Sequence, residues 1–167
     1  ERLGVKVGDK IAISANNTAR WGISYLAIIA YRAVAVPILN GFSAENLQKL
    51  VDHSDSVVLF TERKMWATMT PEHMPQLKAA ICIEDFSELW SKNGVLSDVM
   101  PNLQQLFRAK YPQGMKRKFV NYEVGEADDL NTISYTSGTT SSPKGIMLSN
   151  NNISSNITFG VNRIKIT

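Results

Sequence analysis

The chain has 167 residues, 44% apolar and 20% charged, which gives enough apolar material for one domain with a real core and excludes a disordered polymer. The net charge is only +3, and the basic residues are spread along the chain. The densest cluster, Lys116-Arg117-Lys118, lacks aromatic residues spaced for base stacking, so it reads as a solvated face and no nucleic-acid partner is expected.

Lys10 to Ser14 (KIAIS) is a short apolar run and reads as a strand. Asn16-Asn17-Thr18 then offers helix N-caps, and Ala19 to Ala33 reads as a helix. That helix is apolar nearly all round, which predicts burial on most sides. Its apolar run from Trp21 to Ala30 is too short for a bilayer, which needs roughly 20 such residues. No transmembrane segment or signal peptide is visible, and a cytoplasmic location, with peripheral membrane contact left open, is the expectation.

Val34 to Leu39 (VAVPIL) is the next strand, with Pro37 near its end. Ser43 caps a helix from Ala44 to about His53, with Leu47, Leu50 and Val51 facing inward, and Ser56 to Phe60 is a third strand. This alternation specifies βαβ units, an α/β class and a mainly parallel sheet flanked by helices. Further on, Arg63 to Met69 reads as helical and Ala79 to Ile83 as a strand. Asp85 and Glu88 form a D-x-x-E capping box that predicts a helix through Trp90. A helix is expected around Leu103 to Lys110, followed by irregular chain. Thr132 to Tyr135 and Gly145 to Leu148 read as strands, and Asn150 to Asn152 open a last helix.

Most of the candidate reactive residues read as structural. Cys82, the single cysteine, lies between two isoleucines and is expected to be buried and inert. His53 and His73 have no second ligand at metal spacing, and His53 falls at a helix end where it favours the dipole. Asp128-Asp129 reads as a turn, Glu84-Asp85 as a helix start, and Met65, Met69 and Met74 as gap fillers. No resident metal site is expected from these residues.

The segment Tyr135 to Gly145, YTSGTTSSPKG, is different in kind. It holds six serines and threonines, two glycines and Lys144 between two strands. Gly138 frees the backbone to bring N–H groups close to a ligand. Successive amides form an anion nest, the hydroxyls add rotatable donors, and Lys144 adds a full charge. Together these suit a polyphosphate. The segment is not a Walker A loop: Pro143 precedes the lysine, Gly145 follows it, and a strand comes next where a helix should start.

The string resembles the phosphate-binding signature [YF]-T-S-G-[ST]-T-G-x-P-K-G of the adenylate-forming superfamily, with Ser141 in place of a glycine. Upstream, GVKVGDKIAISANNTARWGISYLAIIAYRAVAVPI and SAENLQKLVDHSDSVVLF are similar to the family's early blocks, with Ala33 for a usual glycine. Asn150 stands where many members carry histidine. The wording looks most like the long-chain fatty acid–CoA ligases.

The resemblance implies a piece, residues 1–167, of the large N-terminal domain of the acyl-CoA synthetase fold, with the C-terminal domain absent and no catalytic residue in the piece. It implies ATP phosphate binding by Thr136, Ser137, Gly138, Thr139, Thr140 and Lys144. It implies a parent enzyme that uses ATP, Mg2+ and coenzyme A to activate a carboxylic acid, a long-chain fatty acid by preference, as an acyl-adenylate. The piece alone is expected to be inactive and prone to self-association through uncovered sheet edges. A non-catalytic nucleotide-binding or regulatory module, an adenylation domain for an aryl or amino acid, and a purely structural α/β domain are the competing readings.

Overall fold

The computed structural model describes residues 3–116, 125–136 and 144–163. Seven strands form one sheet in the order β5-β4-β3-β1-β2-β6-β7. The strands are β1 (Lys10–Ser14), β2 (Val34–Pro37), β3 (Ser56–Thr61), β4 (Ala79–Cys82), β5 (Glu88–Ser91), β6 (Leu130–Thr136) and β7 (Lys144–Ser149). The five central strands run parallel, while the edge strands β5 and β7 run antiparallel to their neighbours. The helices are α1 (Ala19–Ala30), α2 (Ala44–His53), the single turn α3 (Arg63–Trp66), α4 (Leu103–Lys110) and α5 (Asn150–Arg163).

Strand order explains the layers. The chain leaves β1 through α1 to reach β2, then returns past β1 through α2 to reach β3. Crossovers of one hand in opposite directions place their helices on opposite faces. Residues alternate accordingly. Ile11, Ile13, Ala35 and Val58 pack toward α1 with Ile28, Trp21 and Tyr25. Ala12, Val34, Val36 and Leu59 pack toward α2 with Leu47, Leu50, Val51, Met69 and Met74. A strand buried on both faces reads as a continuous apolar run, which is why β1, β2 and β3 are legible without strict alternation.

The caps predicted for the first two helices form. Thr18 Oγ1 accepts from Trp21 N at 3.3 Å, and Ser43 Oγ accepts from Asn46 N at 3.3 Å. Helix α1 stops at Ala30, short of the expected Ala33. Arg32 takes a left-handed φ of 60°, and Ala33 N returns to Ile28 O at 3.1 Å, closing the helix end. Burial on most sides is not observed for α1: only Ser24 and Ile28 are buried, and Ile23 and Leu26 are exposed.

The Asp85–Glu88 capping box does not form, and no helix runs through Trp90. Asp85 accepts instead from the amide and hydroxyl of Ser87, two residues on. Phe86 turns left-handed at φ 60°, and Cys82 and Ser87 close the turn through Cys82 N to Ser87 O at 2.8 Å. The chain therefore reverses into β5, antiparallel to β4. Trp90 packs tilted on Trp66 at 6.1 Å, a contact that suits a half-buried strand.

Candidate phosphate-binding site

In an open parallel sheet, ligands gather at the carboxyl ends of the strands, where the side of the connections changes. Strand β6 is parallel to β2, so Thr136 ends at that edge. Strand β7 returns antiparallel, so Lys144 starts there. Register pairs Thr136 with Lys144 and Tyr135 with Gly145. Two of the six residues implied as phosphate ligands are thus brought together as the stems of the loop, and both are exposed. Ser137, Gly138, Thr139 and Thr140 lie outside the described residues.

Beside the stems is a cleft of ≈ 550 Å³, lined by Ala15–Asn17 after β1, Ile38–Asn40 after β2, Trp21 of α1, and Ser134–Thr136. Its polar groups are uncharged amides and hydroxyls. Asn16 is fixed in place: its backbone N and Nδ2 both donate to Glu62 Oε1, at 3.1 and 2.8 Å.

Tyr135 anchors the stem from below. It is 5% exposed, and burial pushes its phenol pKa up. Its hydroxyl meets His53 Nδ1 at 2.7 Å, with the two rings edge to face at 5.8 Å. Gly145 permits this arrangement. A Cβ there would stand 3.0 Å from Ile133 Cγ2 and 3.3 Å from Tyr135 Cε1, so the ring lies against bare backbone.

The base of the β6–β7 hairpin is held by side chains. Tyr25 OH bonds Thr132 Oγ1 at 3.0 Å, and Thr132 Oγ1 donates to Asn131 Oδ1 at 2.8 Å. Asn131 Nδ2 donates to Asn150 Oδ1 at 2.9 Å, and Asn150 Nδ2 to Glu126 O at 2.8 Å. Asp129 accepts from Glu126 N and pairs with Arg32 at 3.3 Å. Asn150 is therefore a link in a structural chain.

Cys82 is buried, and burial raises its thiol pKa. His73 pairs with Gln48 Nε2 at 3.2 Å. His53 is the last residue of α2. Asp129 is a turn residue. Among the described residues no three His, Cys, Asp or Glu converge as metal ligands. The His53–Tyr135 contact was not legible beforehand, because 82 residues separate the partners and no motif links them.

The structure is thus a mainly parallel, doubly wound α/β sheet with Thr136 and Lys144 paired at its carboxyl edge. The chain belongs to the AMP-binding enzyme family, whose profile matches residues 1–165. It is 32% identical over 152 residues to long-chain-fatty-acid–CoA ligase 5 of Rattus norvegicus, covering 88% of this chain and 22% of that protein. It is 32% identical over 162 residues to the chloroplastic long-chain-fatty-acid–[acyl-carrier-protein] ligase AEE15 of Arabidopsis thaliana, covering 90% and 22%. The chain thus spans about a fifth of the length of these relatives.

Two solved structures share the fold. One is a long-chain-fatty-acid–CoA ligase (FadD1) from Archaeoglobus fulgidus, with TM-score 0.69 and 22% identity over 96% of this chain and 28% of that one. The other is ATP-bound MatB from Rhodopseudomonas palustris, with TM-score 0.68 and 24% identity over 99% and 29%.

Proposed function

We propose that the chain is the phosphate-binding part of the large N-terminal domain of an ATP-dependent acid–thiol ligase. In that reaction a carboxylate oxygen of the acid attacks the α-phosphorus of ATP. The bond from that phosphorus to the bridging oxygen breaks, and pyrophosphate leaves with the electron pair. A thiolate then attacks the acyl carbon and AMP departs. Thr136, Ser137, Gly138, Thr139, Thr140 and Lys144 would bind the β- and γ-phosphates and stabilise the charge that builds on pyrophosphate.

The observation that carries the reading is the pairing of Thr136 with Lys144 at the carboxyl edge of the sheet, the two ends of a string that matches the family signature. The acid we favour is a long-chain fatty acid, supported by the names of the relatives. Those names differ in the acceptor, coenzyme A in one and an acyl-carrier protein in the other; coenzyme A is our choice, from the similarity of wording in the motif. Magnesium would arrive with the phosphates of ATP.

No helix among the described residues is long and apolar enough to cross a membrane. The location we propose is cytoplasmic, with peripheral membrane contact left open. Residues 1–167 produced alone would be inactive. They would also self-associate, because the edge strand and last helix expose Ile146, Met147, Ile157, Phe159 and Val161.

The test is ATP–pyrophosphate exchange by the full-length protein with acids from acetate to palmitate, plus aryl and amino acids. Exchange that depends on long-chain acids supports the reading. ATP binding without exchange for any acid would replace it with a regulatory nucleotide-binding module.

A further inference from the structure

The phosphate loop has two stems, and one side chain touches both. Tyr135 is the residue before Thr136, so its backbone leads into the loop. Its ring lies against the backbone of Gly145, the residue after Lys144, where a Cβ would come within 3.3–3.4 Å of two ring carbons. The ring therefore packs against both stems, beside the ladder that pairs them.

A ring held only by packing could tilt. This one is tied at its far end, where the hydroxyl meets His53 Nδ1 at 2.7 Å. His53 ends α2, and α2 is fixed by the buried Leu47, Leu50 and Val51. The imidazole itself is exposed, so the core does not need it for packing. A phenylalanine would fill the space of the ring equally well. The hydroxyl is useful for its direction, which the imidazole fixes together with the Ser54 side chain beside it.

We infer that His53 is a positioning residue for the phosphate loop, acting through the Tyr135 hydroxyl to hold Thr136 and Lys144 at the spacing that ATP's phosphates require. The inference rests on the loop being the phosphate site proposed above. The tautomer of the ring decides whether Nδ1 accepts the phenolic O–H or donates to its oxygen. A glutamine at position 53 offers a side-chain oxygen at similar reach and can replace the imidazole.

The experiment is calorimetric titration of ATP into the full-length protein and its Tyr135→Phe, His53→Ala, His53→Gln and doubly substituted Tyr135→Phe/His53→Ala variants. ATP–pyrophosphate exchange is then measured on the same set. Loss of one hydrogen bond of ordinary strength predicts about three- to tenfold weaker ATP binding in Tyr135→Phe and His53→Ala. The double variant should be no weaker than either single one, and His53→Gln should return to within about twofold of the parent. In exchange, KM for ATP should rise while KM for the acid stays unchanged.

ATP affinities within about twofold of the parent in Tyr135→Phe and His53→Ala would overturn the inference, whatever the melting temperatures do. So would additive losses in the double variant. If His53→Ala does not fold, the isosteric Tyr135→Phe decides. Normal ATP binding by the parent with no acid-driven exchange would instead remove the ligase reading, and the affinity series would still decide the role of His53. A parent that binds no ATP overturns both.

Discussion

Thr136 and Lys144 stand directly opposite each other in the β6–β7 ladder, one closing the last parallel strand and the other opening the antiparallel edge. The backbone of Lys144 is thereby fixed opposite that of Thr136 before any ligand arrives. Such preorganisation matters because pyrophosphate gains charge as it leaves. Each charge-assisted hydrogen bond contributes about 1.5–3 kcal/mol. Lys144→Ala should therefore slow ATP–pyrophosphate exchange roughly ten- to a hundredfold. Steady-state exchange in the full-length protein reads this directly, and unchanged kinetics would remove Lys144 from the site.

Gly145 is required for packing as much as for its place in the signature. An added Cβ would stand 3.0 Å from Ile133 Cγ2, and Ile133 is a buried residue of the α2-side core. It would also press on the Tyr135 ring, which its bond to His53 prevents from turning away. Overpacking of this sort costs about 1–3 kcal/mol. Gly145→Ala should lower unfolding stability by that amount in urea titrations and weaken ATP binding in the same protein. Normal stability would show that the ring yields without cost.

Much of this architecture was legible because local signals agreed with the global pattern. Thr18 and Ser43 cap the helices they were expected to cap. The runs in β1, β2 and β3 are apolar on both faces because helices cover both. The misreading at Asp85 has a local cause. A D-x-x-E pattern and an Asx turn begin with the same residue, and the choice between them was made by Ser87, Phe86 and the Trp66–Trp90 contact. Residues in α1 were expected to be buried because they are apolar, yet Ile23 and Leu26 are exposed, since only one face of the helix meets the sheet. The proposed phosphate loop stands out in the sequence by its composition, whereas the His53–Tyr135 contact spans 82 positions and no periodicity encodes it.

Asn131 is 7% exposed and joins two partners, Asn150 through its Nδ2 and Thr132 through its Oδ1. Asn131→Ala would leave the Asn150 carbonyl and the Thr132 hydroxyl short of partners in a desolvated place. Each such loss costs about 1–3 kcal/mol. The variant should unfold at lower denaturant with an unchanged m-value, because the fold and its exposed area stay the same. Its ATP affinity should be nearly normal, because this network lies at the base of the hairpin, away from Thr136 and Lys144.

Asp85 supplies a pH-dependent test of the turn that replaced the predicted helix. Its carboxyl pKa is held well below the usual aspartate range, first by the Ser87 hydroxyl and amide, with a smaller contribution from Arg63. A group with a depressed folded-state pKa stabilises the fold above its unfolded value, and that contribution is lost as pH falls below it. The unfolded value is about 3.9. Asp85→Asn should therefore melt at a lower temperature than the parent at pH 7. The gap should hold down to about pH 4 and narrow below it as the unfolded parent chain takes up the proton, closing only when pH falls through the folded-state pKa. Melting curves of the full-length protein and variant from pH 7 to pH 3 check both the sign and the window. A gap that persists undiminished at pH 3 would mean that the turn depends on the shape of the side chain and not on its charge.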